Sequence, residues 1–500
     1  MQAEIQATTR KSGRDSLARK AGILVISRAV TIIAQLFSIV ILTRRLSVED
    51  FSLISFLLLA YSTVLTLGQL GLPDSIFYFF EKVGGKSRKA FAMLTAKLLF
   101  LISIAGSIIL LVIEFVAPLG GRELNGLLFP FMLLLMLELP TIPMPNILIA
   151  IDRTNEAGLF NIFVGVTQFL ALVVPAVLGY SVSYIVYSLL SYGLLRFLLS
   201  SFFFVKNFRK EKCLKLPHGI ARTVFRYSIP LSIAVTFWGL NRQIDKYIVD
   251  WFLDDISFAK YIIGAWEIPF LPTIAYSVAA VMMPQLVSFY LKQDKSGLLK
   301  LWLQSIKKVS IILVPLVVMF LVTSEEFITL FFSKKYIEAA VPFRIYTIII
   351  IHRVASYSSL LRAIDETRTI TYSAIYLLVI NIALSIPFVL LLGMAGPPLA
   401  TLIASFFTWG YILNKIKLKL KVSLGEVFPF HFYFKTLVTA FVSAIPVLFV
   451  KFYLEFPNGI KFVTLILCYL VTYGIVASLA GVIKKEDWLR LFIALKLKVS

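Results

Sequence analysis

Thr369 to Gly393 reads TITYSAIYLLVINIALSIPFVLLLG, without one formal charge. An α-helix rises about 1.5 Å per residue, so about 20 mostly apolar residues cross the hydrocarbon of a bilayer. Inside lipid a lone segment satisfies its own N–H and C=O groups only as a helix. The run therefore predicts one membrane span. Working outward from it, the same reading yields fourteen: 21–43, 51–72, 90–117, 126–150, 158–179, 183–205, 223–250, 260–290, 308–332, 341–363, 369–393, 397–414, 435–453 and 460–483. Gly84-Gly85, Gly120-Gly121, Gly179, Gly396-Pro397-Pro398 and Pro457-Asn458-Gly459 punctuate them.

Composition agrees. Of 500 residues 59% are hydrophobic and 15% charged, with mean hydropathy +0.89. A soluble domain carries about 25% charged residues to wet its surface. A soluble enzyme, a nucleic-acid-binding domain and a secreted disulfide scaffold are excluded on that ground. Cys213 and Cys468 have no metal-ligand spacing. No small-residue cleavage site follows the first apolar run, so a removable signal peptide is not expected.

Charge sets the orientation. With the N-terminus inside, the cytoplasmic segments hold 34 Lys and Arg and the external ones 8: Arg44, Arg45, Arg122, Lys260, Lys334, Lys335, Lys451 and Lys461. Retention of positive charge inside places both termini in the cytoplasm. It also accounts for most of the net charge of +22.

Landmarks recur about 210 residues apart. Leu72-Pro73 answers Met283-Pro284, Pro130-Phe131 answers Pro342-Phe343, and Ala150-Ile151-Asp152-Arg153-Thr154 answers Ala363-Ile364-Asp365-Glu366-Thr367. A repeat of six spans is even, so both copies enter the membrane the same way. The expected fold is an all-α polytopic membrane protein of about 14 transmembrane helices. Two six-helix bundles are related by a pseudo-twofold along the membrane normal, and two C-terminal helices are added. The expected organisation is a cytoplasmic segment 1–20, an N-terminal lobe 21–205, a basic linker 206–222 and a C-terminal lobe 223–414. A basic loop 415–434, helices 13 and 14 over 435–483 and a cytoplasmic tail 484–500 complete it. Two facing bundles are a transporter architecture, with the substrate path between them.

Several stretches are similar to a known family. They are Leu46-Ser47-Val48-Glu49-Asp50-Phe51; Thr66-Leu67-Gly68-Gln69-Leu70-Gly71-Leu72; Phe258-Ala259-Lys260-Tyr261 leading to Met283-Pro284-Gln285; and Leu330 through Ala340. The chain resembles, over essentially its whole length, the polysaccharide-lipid flippases (Wzx type) of the multidrug/oligosaccharidyl-lipid/polysaccharide exporter superfamily. Gln69 departs from the pattern, since many members carry an acid there. The resemblance implies flipping of a polyprenyl-pyrophosphate-linked oligosaccharide, such as a polysaccharide or O-antigen repeat unit, from the cytoplasmic to the outer leaflet of the cell membrane. It implies no cofactor, and it implies other polysaccharide assembly proteins as partners. Fourteen spans lean toward lipid-linked sugars, since the superfamily's drug exporters usually have twelve. The alternatives are a multidrug/cation antiporter of the same superfamily and a flippase of the lipid-linked peptidoglycan precursor. A membrane glycosyltransferase would be expected to present a long external loop, and the external loops here are short.

Seven basic residues fall inside spans: Arg28, Lys97, Arg196, Arg242, Lys246, Arg344 and Arg353. Each costs about 2.5–3.5 kcal/mol at mid-membrane on insertion scales. Lys97 and Arg196 read as side chains that snorkel to the interface. Span 1 carries Arg28, Thr31, Gln35 and Ser38 on one helical face. Span 7 carries Ser228, Ser232, Gly239, Gln243, Lys246 and Asp250 on another, with Asn241, Arg242 and Asp245 beside it. Both faces are expected to line a shared central cavity; alternatively Arg242, Asp245 and Lys246 neutralise one another. Arg suits a pyrophosphate because its planar fork donates two hydrogen bonds and stays charged. Arg28, Gln35, Arg242, Lys246 and Arg353 are the candidate substrate-binding residues. His352 reads as packed rather than titrating.

Span 4 contains Glu138-Leu139-Pro140-Thr141-Ile142-Pro143-Met144-Pro145, and each proline removes a backbone donor, so the helix must be broken. Span 8 is similar, with Glu267, Pro269 and Pro272. Broken helices mark binding and gating sites in transporters; Glu138 and Glu267 at these breaks, with Asp245 of span 7, are the candidates for ion coupling or gating. No metal or catalytic site is expected. Residues 206–226 and the alternating Lys415 to Lys421 read as contacts to anionic membrane lipids or as charges that simply enforce topology, the latter stretch as a short strand or interfacial helix. Residues 484–500 read as an interfacial helix. No nucleic-acid partner is expected.

Overall fold

The computed structural model describes residues 2–83, 87–116, 126–211, 216, 219–268, 270–453, 455 and 457–484; side chains of 2–21, 113–116 and 231 are outside the description. Among the described residues the secondary structure is helical, with no strand. The first half holds α1 (Gln2–Arg45), α2 (Val48–Gly68), α3 (Leu72–Val83), α4 (Arg88–Val116), α5 (Leu128–Glu138), α6 (Met144–Ala150), α7 (Thr154–Val177), α8 (Val182–Phe208) and α9 (Ile220–Phe252). Then follow α10 (Asp255–Gly264), α11 (Phe270–Leu291), α12 (Lys295–Val322), α13 (Ser324–Phe331), α14 (Ala340–Ile349) and α15 (Tyr357–Ala363). The chain continues with α16 (Thr367–Leu392), α17 (Gly396–Leu420), α18 (Leu424–Val427), α19 (Phe430–Tyr453) and α20 (Asn458–Leu479).

Among the described residues every expected span coincides with helix, intact or broken. Among the described residues, 11 stretches are long and apolar enough to cross a membrane. One of them, 367–420, holds two expected spans, α16 and α17, joined through a 3-10 turn at Gly393–Ala395. Two expected spans fall outside that set. The span 223–250 is the charged α9, and 341–363 is broken between α14 and α15. The chain is thus a multi-pass, all-helical membrane protein. The expected interfacial helix at 484–500 lies outside the described residues apart from Lys484, as do parts of the 206–222 linker. The alternating Lys415–Lys421 stretch is neither strand nor separate helix: it continues α17 to Leu420, and Lys421 ends it in the left-handed conformation.

The repeat is written into backbone geometry. α5 and α6 are separated by a 3-10 turn at Leu139–Thr141, and α14 and α15 by another at Ile350–His352. After α6, Asp152 takes φ +65° and after α15, Asp365 takes φ +55°. In the first copy Arg153 N donates to Leu148 O at 2.7 Å and Asp152 N to Ile149 O at 3.0 Å. In the second Glu366 N donates to Leu361 O at 2.8 Å and Asp365 N to Arg362 O at 3.3 Å. Both are Schellman ends, and a left-handed residue is what that motif requires.

The chain divides into two compact units, Met1–Gln243 and Ile244–Ser500. The boundary lies inside α9, beyond the basic linker at which the lobes were expected to part. The first half of α9 belongs to unit 1 because Val224 joins its core with Leu72, Ile76, Phe79, Phe91 and Leu139, and Gln243 donates to Ser62 at 3.1 Å. Elsewhere in unit 1, α1 lies along α7 at close range: a Cβ on Gly165 would stand 2.8 Å from Thr31 Oγ1 and 3.1 Å from its Cα. Small residues let membrane helices approach in this way.

Candidate functional site

The polar faces of the two repeat-opening helices divide between packing and exposure. On α1, Thr31 rests on Gly165 and Ser38 is buried, while Arg28 and Gln35 are exposed. On α9, Ser228 and Ser232 are buried, Gly239 packs on Thr66, and Gln243 bonds Ser62. These α9 groups were expected to line a cavity. They serve the packing of unit 1 instead, because serines and a glycine on one stripe let α9 seat closely on α2. Arg242 remains exposed and Lys246 half-buried.

Asp245, one residue before Lys246, is buried and belongs to unit 2. Asn381 Nδ2 donates to its Oδ1 at 2.6 Å; Tyr346 OH and Thr401 Oγ1 donate to its Oδ2. A second layer supports these groups. Ser385 donates to Asn381 Oδ1 at 2.8 Å, and Tyr261 OH lies 2.8 Å from Tyr346 OH. The network joins α9, α10, α14, α16 and α17, so a carboxylate costly to bury alone is fully hydrogen-bonded. Of its members the sequence reading singled out Asp245 alone as a site residue. Asn381 and Thr401 were visible as polar residues in apolar spans, but nothing in one sequence joins positions so far apart.

Arg353 and Glu267, expected in different roles, meet. Arg353 Nη1 donates to Glu267 Oε1 at 3.0 Å, with about a quarter of each side chain exposed. Each sits at a helix break, Glu267 between α10 and α11 and Arg353 just after the 3-10 turn at Ile350–His352. Among the described residues no hydrogen bond engages Arg353 Nε or Nη2, so that edge of the fork is open. His352 is packed, its ring 5.5 Å from Phe406 and 5.9 Å from Trp409.

Unit 1 has its own buried pair. Arg196 Nη1 and Tyr61 OH donate to the Glu138 carboxylate, and Tyr192 OH donates to it at 3.3 Å. Glu138 is 2% exposed. Arg196 therefore does not snorkel, contrary to expectation: an acid at the break of span 4 holds it inside the bundle. Arg344 is bound as well, to Ser324 and Glu325, with Lys451 bridging Glu325 and Glu326. Among the described residues no group of three His, Cys, Asp or Glu side chains could hold a metal ion.

Residues 41–341 match the sequence family described as polysaccharide biosynthesis protein. The chain belongs to that family. No curated protein matches this family member by sequence. Its fold matches the structure titled lipid II flippase MurJ, inward closed conformation, with TM-score 0.72 and 18% identity over 91% of this chain and 98% of that one. It also matches an inward-facing multidrug resistance MATE transporter of the MOP superfamily, with TM-score 0.58 and 13% identity over 80% and 99%. A MOP superfamily transporter from Pyrococcus furiosus gives TM-score 0.50 and 13% identity over 82% and 96%. At these identities the likeness is one of fold. The polysaccharide biosynthesis protein thus shares a helical architecture with both a lipid flippase and a drug transporter.

Proposed function

We propose that the protein moves a polyprenyl-pyrophosphate-linked oligosaccharide across the cell membrane by alternating access. The observation that carries this reading is family membership over residues 41–341. The shared fold is common to lipid and drug transporters, so the family and the cations choose between them. Arg28, Gln35, Arg242, Lys246 and Arg353 bind the headgroup. Arg353 supports this best: Glu267 fixes one Nη and leaves the Nε–Nη2 edge free for two phosphate oxygens.

Asp245 is the acid best suited to couple an ion. Its hydrogen-bond partners are hydroxyl and amide groups, which can accept as well as donate, whereas Glu138 and Glu267 each pair with a guanidinium that only donates, Glu138 alongside two tyrosine hydroxyls. Glu138 and Glu267 then act on gating, by fixing the breaks of spans 4 and 8. The membrane potential assists, since one charge crossing 100 mV is worth about 2.3 kcal/mol and a negative cytoplasm expels an anion. The protein acts as a transporter and not as an enzyme. Both termini lie in the cytoplasm, anionic lipids contact the basic loops, and polysaccharide assembly proteins deliver or receive the substrate.

A second reading, the lipid-linked peptidoglycan precursor, is favoured by the fold match to a lipid II flippase. The test is reconstitution into liposomes carrying a fluorescent polyprenyl-pyrophosphate oligosaccharide or lipid II, following exposure of label on the opposite leaflet, with ethidium efflux in parallel. Oligosaccharide-lipid movement without ethidium efflux is expected. Movement of lipid II alone establishes the second reading, and efflux without lipid movement makes the protein a cation antiporter.

A further inference from the structure

α19 and α20 stand outside the repeat, yet three of their side chains end on backbone carbonyls of unit 2 that have run out of helical donors. Pro315 in α12 lacks the N–H that would close the turn onto Ile311. Tyr473 of α20 donates to Ile311 O at 3.0 Å. At the end of α12, Lys451 of α19 donates to Val322 O at 3.0 Å. Tyr433 of α19 donates to Ile351 O at 2.6 Å, inside the 3-10 turn between α14 and α15. The helix stops there, so Ile351 has no N–H one turn ahead.

The break is fully accounted for. Arg353 N donates to Ile350 O at 2.9 Å and Tyr357 OH to His352 O at 3.2 Å, so three consecutive carbonyls each have a donor. The middle donor alone comes from the C-terminal pair. Arg353 lies two residues beyond Ile351: Tyr433 holds the backbone that leads into it, and Glu267 holds its side chain. The Tyr433 ring is itself held by Phe428, 5.1 Å between centroids, at the end of α18.

We propose that Tyr433 is a positioning residue for Arg353: it pins the unwound 350–353 backbone so that the open edge of the guanidinium meets the substrate's phosphates. This rests on the substrate reading above. The test compares Tyr433→Phe with the wild type in liposomes, using polyprenyl-pyrophosphate and polyprenyl-monophosphate oligosaccharides. Leaving the Ile351 carbonyl unsatisfied should raise the apparent KM for the pyrophosphate lipid about tenfold, with the maximal rate within about twofold. The preference for pyrophosphate over monophosphate should fall as it does in Arg353→Gln, and Tyr433→Phe should add nothing in that background. Tyr473→Phe, which removes the analogous bond at Ile311, should leave KM and preference unchanged. If Tyr433→Phe does not insert, Phe428→Leu replaces it, with a smaller KM shift in the same direction. A loss of maximal rate alone, at wild-type KM and preference, overturns the positioning role. Absence of saturable pyrophosphate-lipid transport by the wild type overturns the substrate reading and this role with it.

Discussion

Glu138 and Arg196 are each other's main reason for being tolerable inside the bundle. Removing one partner of a buried pair leaves a bare charge, which costs about 3–5 kcal/mol. Glu138→Ala should therefore lower the thermal midpoint in detergent sharply, and Glu138→Ala/Arg196→Met should recover much of the loss; equal damage from both would mean the pair is not coupled. Glu426 offers a milder case outside the spans. Ser423 donates to its carboxylate through both hydroxyl and backbone N–H, at 2.7 Å each, closing a capping box on α18. These bonds hold the Glu426 carboxyl below its ordinary value. A depressed folded pKa gives stability present above the unfolded value and lost as pH falls through the folded one. The stability gap between wild type and Glu426→Gln should be full at pH 7 and close below about pH 4. A gap unchanged down to pH 3 would dismiss the box. Glu426 was unreadable as a cap in advance, because the helix it caps is one turn long.

Among elements, α1 against α7 is a pairing in unit 1 for which a single methyl is decisive. Gly165→Ala pushes on Thr31 backbone, which cannot swing aside, and overpacking of this kind costs about 1–3 kcal/mol. Thermal unfolding in detergent checks it, and an unshifted midpoint would mean α1 moves freely on α7. The prolines of span 4 announced a break, and α5 does end at Glu138. Span 10 broke without any such signal, since 350–356 contains no proline. Its break depends on donors from elsewhere, Tyr433 and Tyr357, and on the pull of Glu267 on Arg353. The expectation that α9 presents its serines to a cavity missed for a related reason. A polar stripe states that lipid is excluded, not whether protein or water replaces it.

For the whole molecule, the 34 to 8 charge asymmetry predicts sidedness. In a variant lacking Cys213 and Cys468, Ser333→Cys should react with a membrane-impermeant maleimide on intact cells, and Gln293→Cys only after permeabilisation. The reverse pattern would invert the topology and with it the direction assigned to transport. The repeat was legible as three sequence landmarks, and one of them recurs in backbone terms as two Schellman ends 213 residues apart. Family membership then selects a polysaccharide role among functions that the fold accommodates equally.

The multi-pass, all-helical membrane character follows from the sequence alone, and the expected span number, orientation and repeat rest on it too, because they depend on hydropathy, charge and period, which are properties of neighbours along the chain. So does the inventory of costly charges inside spans. Which charge meets which was decided only in the tertiary structure. Glu267 pairs with Arg353, Glu138 with Arg196, and Asp245 with Asn381, Thr401 and Tyr346. Each acid needs donors within hydrogen-bond reach, and helix packing alone brings together residues 58 to 156 positions apart.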